Sequence, residues 1–314
     1  MIDIIIPAYN AHDTIDRTLK SINDQVNKND LTIYIVNDNS FNNYDKYISK
    51  YNELNIKEIT LDSNHGPGYA RHIGIDRSNN KYIMFIDSDD YFYSNHAIKD
   101  LYDIISSKDL DLVVSNFIYK RDNKEDIKKL DSIWLHGKIY NRDFLKKYNI
   151  NFNDSRQNED NGFNSLIFLL RPKVDYLDDI TYVYEDNPNS ITRKNNREYK
   201  VTGLEGYIYN INWAVKEGIK RSCNIDDVIK LLYRVLVAMY FYYLDYKDDR
   251  LIKWSKDIYI TLIDIIKKDI FDYLKDNDKC RENYSKMMDK KNNEYKNVEK
   301  HISFEQFINN IRNI

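Results

Sequence analysis

The sequence contains few of the residues that define several protein classes. Among its 314 residues there are only 2 cysteines, 4 prolines and 8 glycines. Cys223 and Cys280 cannot form a disulfide framework, and they suit a reducing compartment. The low glycine and proline content, with 42% hydrophobic and 31% charged residues, excludes a collagen-like or disordered chain. We therefore expect a globular protein with one large or two modest domains.

The chain also lacks a large net charge and a long apolar run, and these two absences limit its partners and its location. The formal net charge of -3 gives no general attraction to nucleic acid or anionic lipid, so we expect no nucleic-acid partner. The most apolar stretch, Val228–Tyr246, contains Lys230, Arg234 and Asp245, and no run reaches the apolar length of a transmembrane helix. The first apolar residues have the pattern of a strand rather than a signal peptide. These features predict a cytoplasmic protein, either free or peripheral at the inner face of the membrane.

The first half of the chain alternates short apolar strands with helical stretches. This order predicts an α/β fold, with a mostly parallel sheet flanked by helices and a ligand at the carboxyl ends of the strands. The predicted strands are Ile2–Ile6, Leu31–Val36, Ile56–Leu61, Tyr82–Ile86 and Leu112–Ile118. The predicted helices are Ala11–Gln25, Tyr44–Leu54, Tyr69–Arg77 and Ala97–Ser107.

Beyond about Glu198 the pattern changes to long helices. The predicted helices are Val201–Lys216, Asp226–Tyr246, Leu251–Leu274, Arg281–Asn297 and Phe304–Ile311. We therefore expect an α/β domain over residues 1–197 and an all-α C-terminal domain over residues 198–314. The helical residues leave three roles open: acceptor binding, homo-oligomer formation and docking on a membrane surface.

An apolar strand ends directly in a cluster of carboxylates. Asp87, Asp89 and Asp90 lie within four residues of one another. Carboxylates repel each other and resist desolvation, so this cluster calls for a counter-ion. Mn²⁺ or Mg²⁺ would serve, with a diphosphate supplying further oxygen ligands. This indicates an enzyme that handles a nucleotide-activated substrate, and the alternative is an acidic turn that caps a helix starting near Tyr91.

Four polar loops each follow a strand of the predicted sheet. Because the carboxyl ends of parallel strands meet at one edge, we expect these loops to converge. They contain Asn10, Asn37–Ser40, Asn64–Gly66 and Asp87–Asp90.

Several of these segments together resemble the family 2 glycosyltransferases of GT-A fold. The matching elements are Ile4–Asn10, Val36–Ser40, the glycine loop Gly66–Gly74 and Asp87–Asp89, in matching order along residues 1 to about 185. The resemblance implies metal-dependent, inverting transfer of a hexose or N-acetylhexosamine from a UDP-sugar. The acceptor would be a hydroxyl group on a glycan, lipid carrier, cell-wall polymer or protein.

The resemblance also implies residues for the nucleotide base. Pro7, Ala8 and Tyr9 would line the base, with Tyr9 stacking on it. Asp38 would accept a hydrogen bond from the uracil N3–H. Asn37 departs from the family pattern at the first acidic position, which removes one charge and keeps hydrogen bonding available.

The sugar and diphosphate would be bound by the second half of the glycine loop and by the acidic cluster. Arg71 would pair with a carboxylate or a phosphate oxygen. Asp87 would contact the ribose or Arg71, with Ser88 beside it in the donor site. Asp89, together with Asp87, would bind the Mn²⁺ or Mg²⁺ ion that bridges the phosphates. Asp90 would cap a helix or support these residues.

The catalytic base is expected at the start of a later helix. The segment Gln157–Phe163 resembles the Glu-Asp element of the family, which makes Asp160 the candidate base and Glu159 the second choice. The alternative is that both are first-turn acids favoured by the helix dipole.

A segment around Trp134 resembles one that is common in bacterial cell-surface and polysaccharide glycosyltransferases. Trp134 and His136 would border the sugar and acceptor pocket, and Lys138 would approach the diphosphate. His136 is an additional candidate metal ligand. Two other functions remain open: a nucleotidyltransferase of related architecture, and a non-catalytic GT-A-like module used for binding or assembly.

Overall fold

The computed structural model describes residues 1–187 and 197–314. The chain divides into two compact units, Met1–Arg193 and Lys194–Ile314. The expected domain boundary between residues 197 and 198 lies beside the gap between the described ranges, and it stays a prediction.

Four parallel strands form one side of the sheet in the first unit, and their parallel pairing agrees with the prediction from the sequence. Strands β1 (Ile2–Ala8), β2 (Leu31–Asn37), β3 (Asn55–Thr60) and β4 (Tyr82–Phe85) lie in the order β3-β2-β1-β4. All seven residues of β1 and all seven of β2 are buried. Burial on both faces explains why these strands are continuous apolar runs. The helices between them are α1 (Ile15–Asn23), α2 (Asp45–Lys50) and α3 (Pro67–Arg77).

The rest of the sheet is mixed. Strand β8 (Lys138–Asn141) is antiparallel to both β4 and β6 (Leu112–Arg121), and β9 (Val174–Tyr184) is parallel to β6. Two short strands, β5 (Tyr91–Phe92) and β7 (Lys124–Lys128), pair with β9 and β6. The remaining helices of this unit are α4 (Ala97–Ser107), α5 (Arg142–Lys147) and α6 (Glu159–Leu169).

The second unit is helical throughout its described residues apart from short connections. Its helices are α7 (Arg197–Lys220), α8 (Ile225–Tyr246), α9 (Arg250–Ile266), α10 (Ile270–Asp276), α11 (Asp278–Glu294) and α12 (Phe304–Arg312). Over residues 1–187 and 197–314, none of the helices has both the length and the apolar character needed to cross a membrane.

The single helix predicted over Leu251–Leu274 is wrong, because α9 and α10 are separate. Lys267 has a left-handed backbone with φ 54°, and its N–H binds the carbonyl of Ile263, which ends α9. Asp269 then caps α10 by accepting hydrogen bonds from two backbone N–H groups of its first turn. Apolar residues continue at helical spacing across this break, so the spacing alone does not reveal that the helix ends.

Helix α3 packs against β1 at a distance that only glycine allows. A Cβ atom added at Gly74 would lie 2.4 Å from Cγ2 of Ile5. Ile5 is fully buried within the sheet, so it has little room to move. This close approach fixes the distance between α3 and β1.

We expect Gly74→Ala to lower the free energy of unfolding by about 1–3 kcal/mol, because the added methyl group overpacks this contact. Denaturant unfolding followed by circular dichroism measures the change. Gly203→Ala is the matched control, since a Cβ at Gly203 in α7 meets no atom within 4 Å. A loss at Gly203 equal to that at Gly74 would refute the packing explanation.

Candidate active site

Arg71 is the charged centre where the acidic segments meet. It is 5% exposed, and its Nη2 and Nη1 atoms lie 2.5 Å from Oδ1 of Asp87 and 2.7 Å from Oε1 of Glu159. Desolvation alone would lower the pKa of Arg71, but the two carboxylates raise it above its usual value. Arg71 thus contacts a carboxylate, which is one of its two expected partners, and its contact with a phosphate oxygen stays a prediction. Arg71 also ties the loop after β4 to the start of α6.

Asp87 and Asp90 have opposite protonation preferences although they are three residues apart. Desolvation would raise the pKa of Asp87, but Arg71 and then His136 hold it well below its usual range. Desolvation, followed by the charges of Asp89 and Asp87, raises the pKa of Asp90 well above its usual value. Asp87 is therefore ionised near neutral pH, whereas Asp90 favours its protonated form.

Asp90 supports Asp87 rather than capping a helix. Its carboxyl accepts hydrogen bonds from the hydroxyl of Tyr182 at 2.5 Å and the backbone N–H of Glu185 at 2.9 Å. The Tyr182 hydroxyl in turn accepts from the backbone N–H of Asp87 at 3.2 Å. The chain continues from Asp90 into β5, so the alternative of an acidic turn that begins a helix near Tyr91 is wrong.

Asp89 is a half-buried acid of this loop whose charge is disfavoured by burial. Its carboxylate accepts a hydrogen bond from Nδ2 of Asn187 at 2.8 Å. Desolvation and the charge of Asp87 raise its pKa. Arg17 of α1 donates to the backbone carbonyl of Asp89, and Thr18 donates to that of Asp90 at 2.7 Å. Side chains of α1 thus hold the loop by hydrogen bonds to the backbone carbonyls of the loop.

The acidic loop fits a hard divalent cation. Among the described residues, ligand atoms of Asp87, Asp90 and His136 lie within 4.8 Å of one another. Carboxylate oxygens suit Mn²⁺ and Mg²⁺, and desolvation and the charge of Asp87 raise the pKa of Asp89 although Asn187 and Arg17 favour its charged form. This group contains Asp87 and His136 but not Asp89, whose role as a metal ligand stays a prediction.

The residues expected around the base lie at the ends of β1 and β2. Pro7 and Ala8 are buried within β1, and Tyr9 is 53% exposed. The carboxylate of Asp38 accepts hydrogen bonds from the backbone N–H groups of His65 at 2.8 Å and Gly66 at 2.7 Å. Asp38 therefore fixes the glycine loop. Its contact with uracil stays a prediction that depends on the remaining acceptor capacity of the carboxylate.

The two acids at the start of α6 have different surroundings. Glu159 is 8% exposed and is paired with Arg71. Asp160 is half-buried and accepts a hydrogen bond from the backbone N–H of Asn161 at 2.8 Å. Desolvation, then the charge of Glu159, raises the pKa of Asp160 to about 7. The arrangement leaves Asp160 as the acid suited to accept a proton near neutral pH.

The segment containing Trp134, His136 and Lys138 lies beside the acidic loop. Nε2 of His136 lies 3.7 Å from Oδ2 of Asp87, and the His136 and Trp134 ring centroids are 5.5 Å apart. Desolvation lowers the pKa of His136 despite the opposing effect of Asp87. Lys138 is 1% exposed and donates to the carbonyl of Trp134. An approach of Lys138 to the diphosphate stays a prediction, and it would require this contact to break.

Sequence patterns did not identify several residues that shape the site. Arg17 and Thr18 lie 72 residues from the backbone carbonyls to which they donate, and Tyr182 and Asn187 lie 92 and 98 residues from their carboxylate partners. The local sequence around them contains no motif. A weak signal is the pair Arg17 and Thr18 itself, two polar residues beside the apolar face of α1.

A family model and several curated proteins are similar to this chain. The family model described as glycosyl transferase family 2 matches residues 3–158. Glycosyltransferase GlyA of Streptococcus pneumoniae is 24% identical over 61% of this chain and 31% of its own length. The uncharacterized glycosyltransferase EpsJ of Bacillus subtilis is 27% identical over 61% of this chain and 63% of its own length. The chain thus spans less than two thirds of the length of these relatives.

A solved structure has the same fold. The crystal structure of Staphylococcus aureus TarS 1-349 in complex with UDP-GlcNAc aligns with a TM-score of 0.63 over 92% of this chain and 90% of that chain. The sequence identity in that alignment is 17%, so this similarity shows the fold alone. It establishes the predicted GT-A architecture, with its sheet, flanking helices and helical C-terminal region.

We expect Arg71→Met to lower the free energy of unfolding by about 3–5 kcal/mol at pH 7, because Asp87 and Glu159 lose their buried cation. The wild-type Asp87 pKa is lowered on folding, so its stabilisation is present above the unfolded value and is lost as the pH falls below about 4. The difference between variant and wild type should therefore persist down to about pH 4 and shrink below it. Denaturant unfolding at pH 7, 4 and 3 measures it.

Arg121→Met is the matched control, since Arg121 lies 3.5 Å from Asp122, whose side chain is 76% exposed. An exposed pair of this kind contributes about 1 kcal/mol or less. Equal losses in the two variants would contradict the central role of Arg71.

Proposed function

Because the chain belongs to the family 2 glycosyltransferases, we propose that it transfers a hexose or N-acetylhexosamine from a UDP-sugar to a hydroxyl group. The transfer is metal-dependent and inverts the anomeric centre. The observation that best supports this proposal is the pair of ion pairs made by Arg71. They join Asp87, on the donor side, to the helix that bears the candidate base Asp160. The acceptor is a glycan, a lipid carrier, a cell-wall polymer or a protein.

The donor side is built from the ends of β1, β2 and β4. Tyr9 stacks on the base, and Asp38 accepts its N3–H while holding the glycine loop through His65 and Gly66. The UDP-GlcNAc complex of TarS, a protein of the same fold, supports a UDP-sugar as donor. Arg71 keeps Asp87 ionised next to the place where the diphosphate binds.

Asp89 and Asp87 would hold the divalent cation, and His136 is close enough to Asp87 to assist them. When bound, Mn²⁺ or Mg²⁺ would supply positive charge next to the departing nucleoside diphosphate. Without such a partner, Asp89 would remain a half-buried carboxylate whose ionisation is opposed by Asp87.

Asp160 accepts the proton of the attacking hydroxyl. Its pKa of about 7 keeps a substantial fraction of the carboxylate ionised near neutral pH while leaving it basic enough to take a proton. Glu159 binds Arg71 and so positions the first turn of α6. A single displacement on an α-linked donor yields a β-linked product.

UDP with Mn²⁺ should stabilise the protein against heat. At about 100 times the dissociation constant the gain is about 2.7 kcal/mol, which corresponds to about 4–7 °C in Tm. Asp89→Asn should remove most of the thermal stabilisation that requires Mn²⁺. Asp122→Asn, at an exposed position, should leave that stabilisation unchanged. Differential scanning fluorimetry measures these shifts.

The same measurement tests the two alternative functions. Stabilisation by CTP or ATP but not by UDP would favour a nucleotidyltransferase. The absence of stabilisation by any nucleotide would favour a non-catalytic module.

Asp160→Asn should retain the thermal shift with UDP and Mn²⁺ but lower UDP release from a panel of UDP-sugars by about 10²–10⁴-fold, because the base is lost. In the wild type, the rate should fall as the pH drops below about 7, where Asp160 becomes protonated. Asp154→Asn, an exposed position six residues earlier in the chain, is the control and should keep wild-type rates. Normal turnover by Asp160→Asn would eliminate it as the base.

A further inference from the structure

The two carboxylate oxygens of Asp160 have different surroundings. Oδ1 accepts hydrogen bonds from the backbone N–H of Asn161 at 2.8 Å and from its side-chain Nδ2 at 3.2 Å. Oδ2 accepts no hydrogen bond from residues 1–187 and 197–314, and it is not among the fully buried side-chain atoms of these ranges that lack a partner. Oδ2 is therefore the oxygen that stays open to an approaching group.

The backbone N–H of Asn161 is bonded in an unusual way for the start of a helix. An N-cap residue usually has an extended backbone, and its side chain accepts a backbone N–H from the first turn. Asn158, at the N-cap of α6, has a left-handed backbone with φ 57°, and its side chain accepts no such N–H. The N–H of Asn161 instead lies 3.1 Å from the Asn158 carbonyl and 2.8 Å from Oδ1 of Asp160. The candidate base thus takes the place of the capping side chain.

The side-chain amide of Asn161 can present only its N–H groups to Asp160. Asn161 is 8% exposed, and its Nδ2 also lies 3.3 Å from Oδ1 of Asn158. An ionised carboxylate only accepts hydrogen bonds, so the NH₂ group rather than the oxygen of Asn161 must face it. A buried amide between two acceptors has little freedom to rotate away. Asn161 is therefore suited to hold Oδ1 in one place.

Helix α6 is itself held at two points, so the base cannot gain freedom through motion of the helix. The ion pair between Glu159 and Arg71 fixes the first turn. One turn later, the fully buried Asn164 donates from Nδ2 to the carbonyl of Ile133 at 2.6 Å. With the helix fixed, the orientation of the Asp160 carboxylate depends on its local hydrogen bonds.

Several charged or titratable groups act on Asp160 from a distance. They lie on α3, α6, β8 and the loop after β4, and they are Arg71, Glu159, Lys138, Tyr140 and Asp87. None of the five donates a hydrogen bond to the Asp160 carboxylate within the part of the chain that the structure describes. Among the described side chains, that of Asn161 alone does so.

We propose that Asn161 is a positioning residue, which binds Oδ1 of Asp160 through its backbone N–H and its side-chain amide and leaves Oδ2 as the oxygen that accepts the proton. This inference rests on the proposed function and adds to it a second residue and a choice of oxygen. As the acceptor oxygen bonds to the anomeric carbon, the bond from that carbon to the diphosphate breaks, and its electron pair leaves with the nucleoside diphosphate. The proton of the acceptor hydroxyl passes to Oδ2.

Asn161→Leu tests the side-chain contact, because it keeps the approximate size of the side chain and removes its N–H donors. The pKa of Asp160, about 7 in the wild type, should rise by about 1 pH unit, because the charged form loses a hydrogen bond. Asn161→Asp should raise this pKa further, since a second carboxylate would face Oδ1. ¹³C NMR of protein with labelled aspartate carboxyls measures the pKa without substrate, and Asp160→Asn identifies the signal.

UDP release from UDP-sugars gives a second readout. The pH at which the rate is half-maximal should rise in Asn161→Leu by the same amount as the pKa. At high pH, kcat should fall about three- to tenfold while KM for the UDP-sugar stays within about twofold, because the base is less well oriented. Asn79→Leu is the matched control, since Asn79 is exposed and its Nδ2 donates to the carbonyl of Arg77 at 3.1 Å. It should keep the wild-type pKa and rate.

An unchanged Asp160 pKa in Asn161→Leu would overturn the proposal, as would a fall in kcat without a shift of the pH profile, which indicates a purely structural defect. Circular dichroism shows whether each variant is folded, and the nearly isosteric Asn161→Asp provides the test if Asn161→Leu does not fold. Absence of UDP release by the wild type counts against the proposed function. The NMR titration then still decides whether Asn161 binds Asp160.

Discussion

A single buried guanidinium holds the candidate site together. Arg71 binds one carboxylate from the loop after β4 and one from the first turn of α6, so two segments that are 72 residues apart depend on the same charge. Arg71 reaches this position because α3 lies close over β1, where Gly74 meets Ile5. The position of the charge thus depends on a packing contact in the sheet.

The same guanidinium gives different roles to neighbouring acids. In the loop after β4, Asp87 pairs with Arg71, which lowers its pKa, whereas desolvation and the charges of Asp89 and Asp87 raise the pKa of Asp90. At the start of α6, Glu159 takes the ion pair and leaves Asp160 with a pKa of about 7. In both places, the acid that is not paired with Arg71 keeps a proton more readily than its paired neighbour does.

The sequence was sufficient to predict the parts of the fold that are local or strictly periodic. The parallel strands and the convergence of the loops after them follow from the order of strands and helices, whereas the contact between Arg71 and Asp87 was one of two partners that the family resemblance implied for Asp87. The contacts of Tyr182 and Asn187 did not, because they depend on β9 returning beside β5, which no local pattern encodes. The break at Lys267 was also missed, since a left-handed lysine interrupts the backbone without interrupting the apolar period.

Lys138 has a consequence for chemical labelling. Its desolvated amine has a pKa lowered to about 8, which makes it a stronger nucleophile near neutral pH than an ordinary lysine, yet it is sealed beneath the Trp134 backbone. An amine-specific reagent can reach it only when this segment opens locally. The rate of acylation at Lys138 therefore reports how often this segment opens, and it can be read by peptide mass spectrometry.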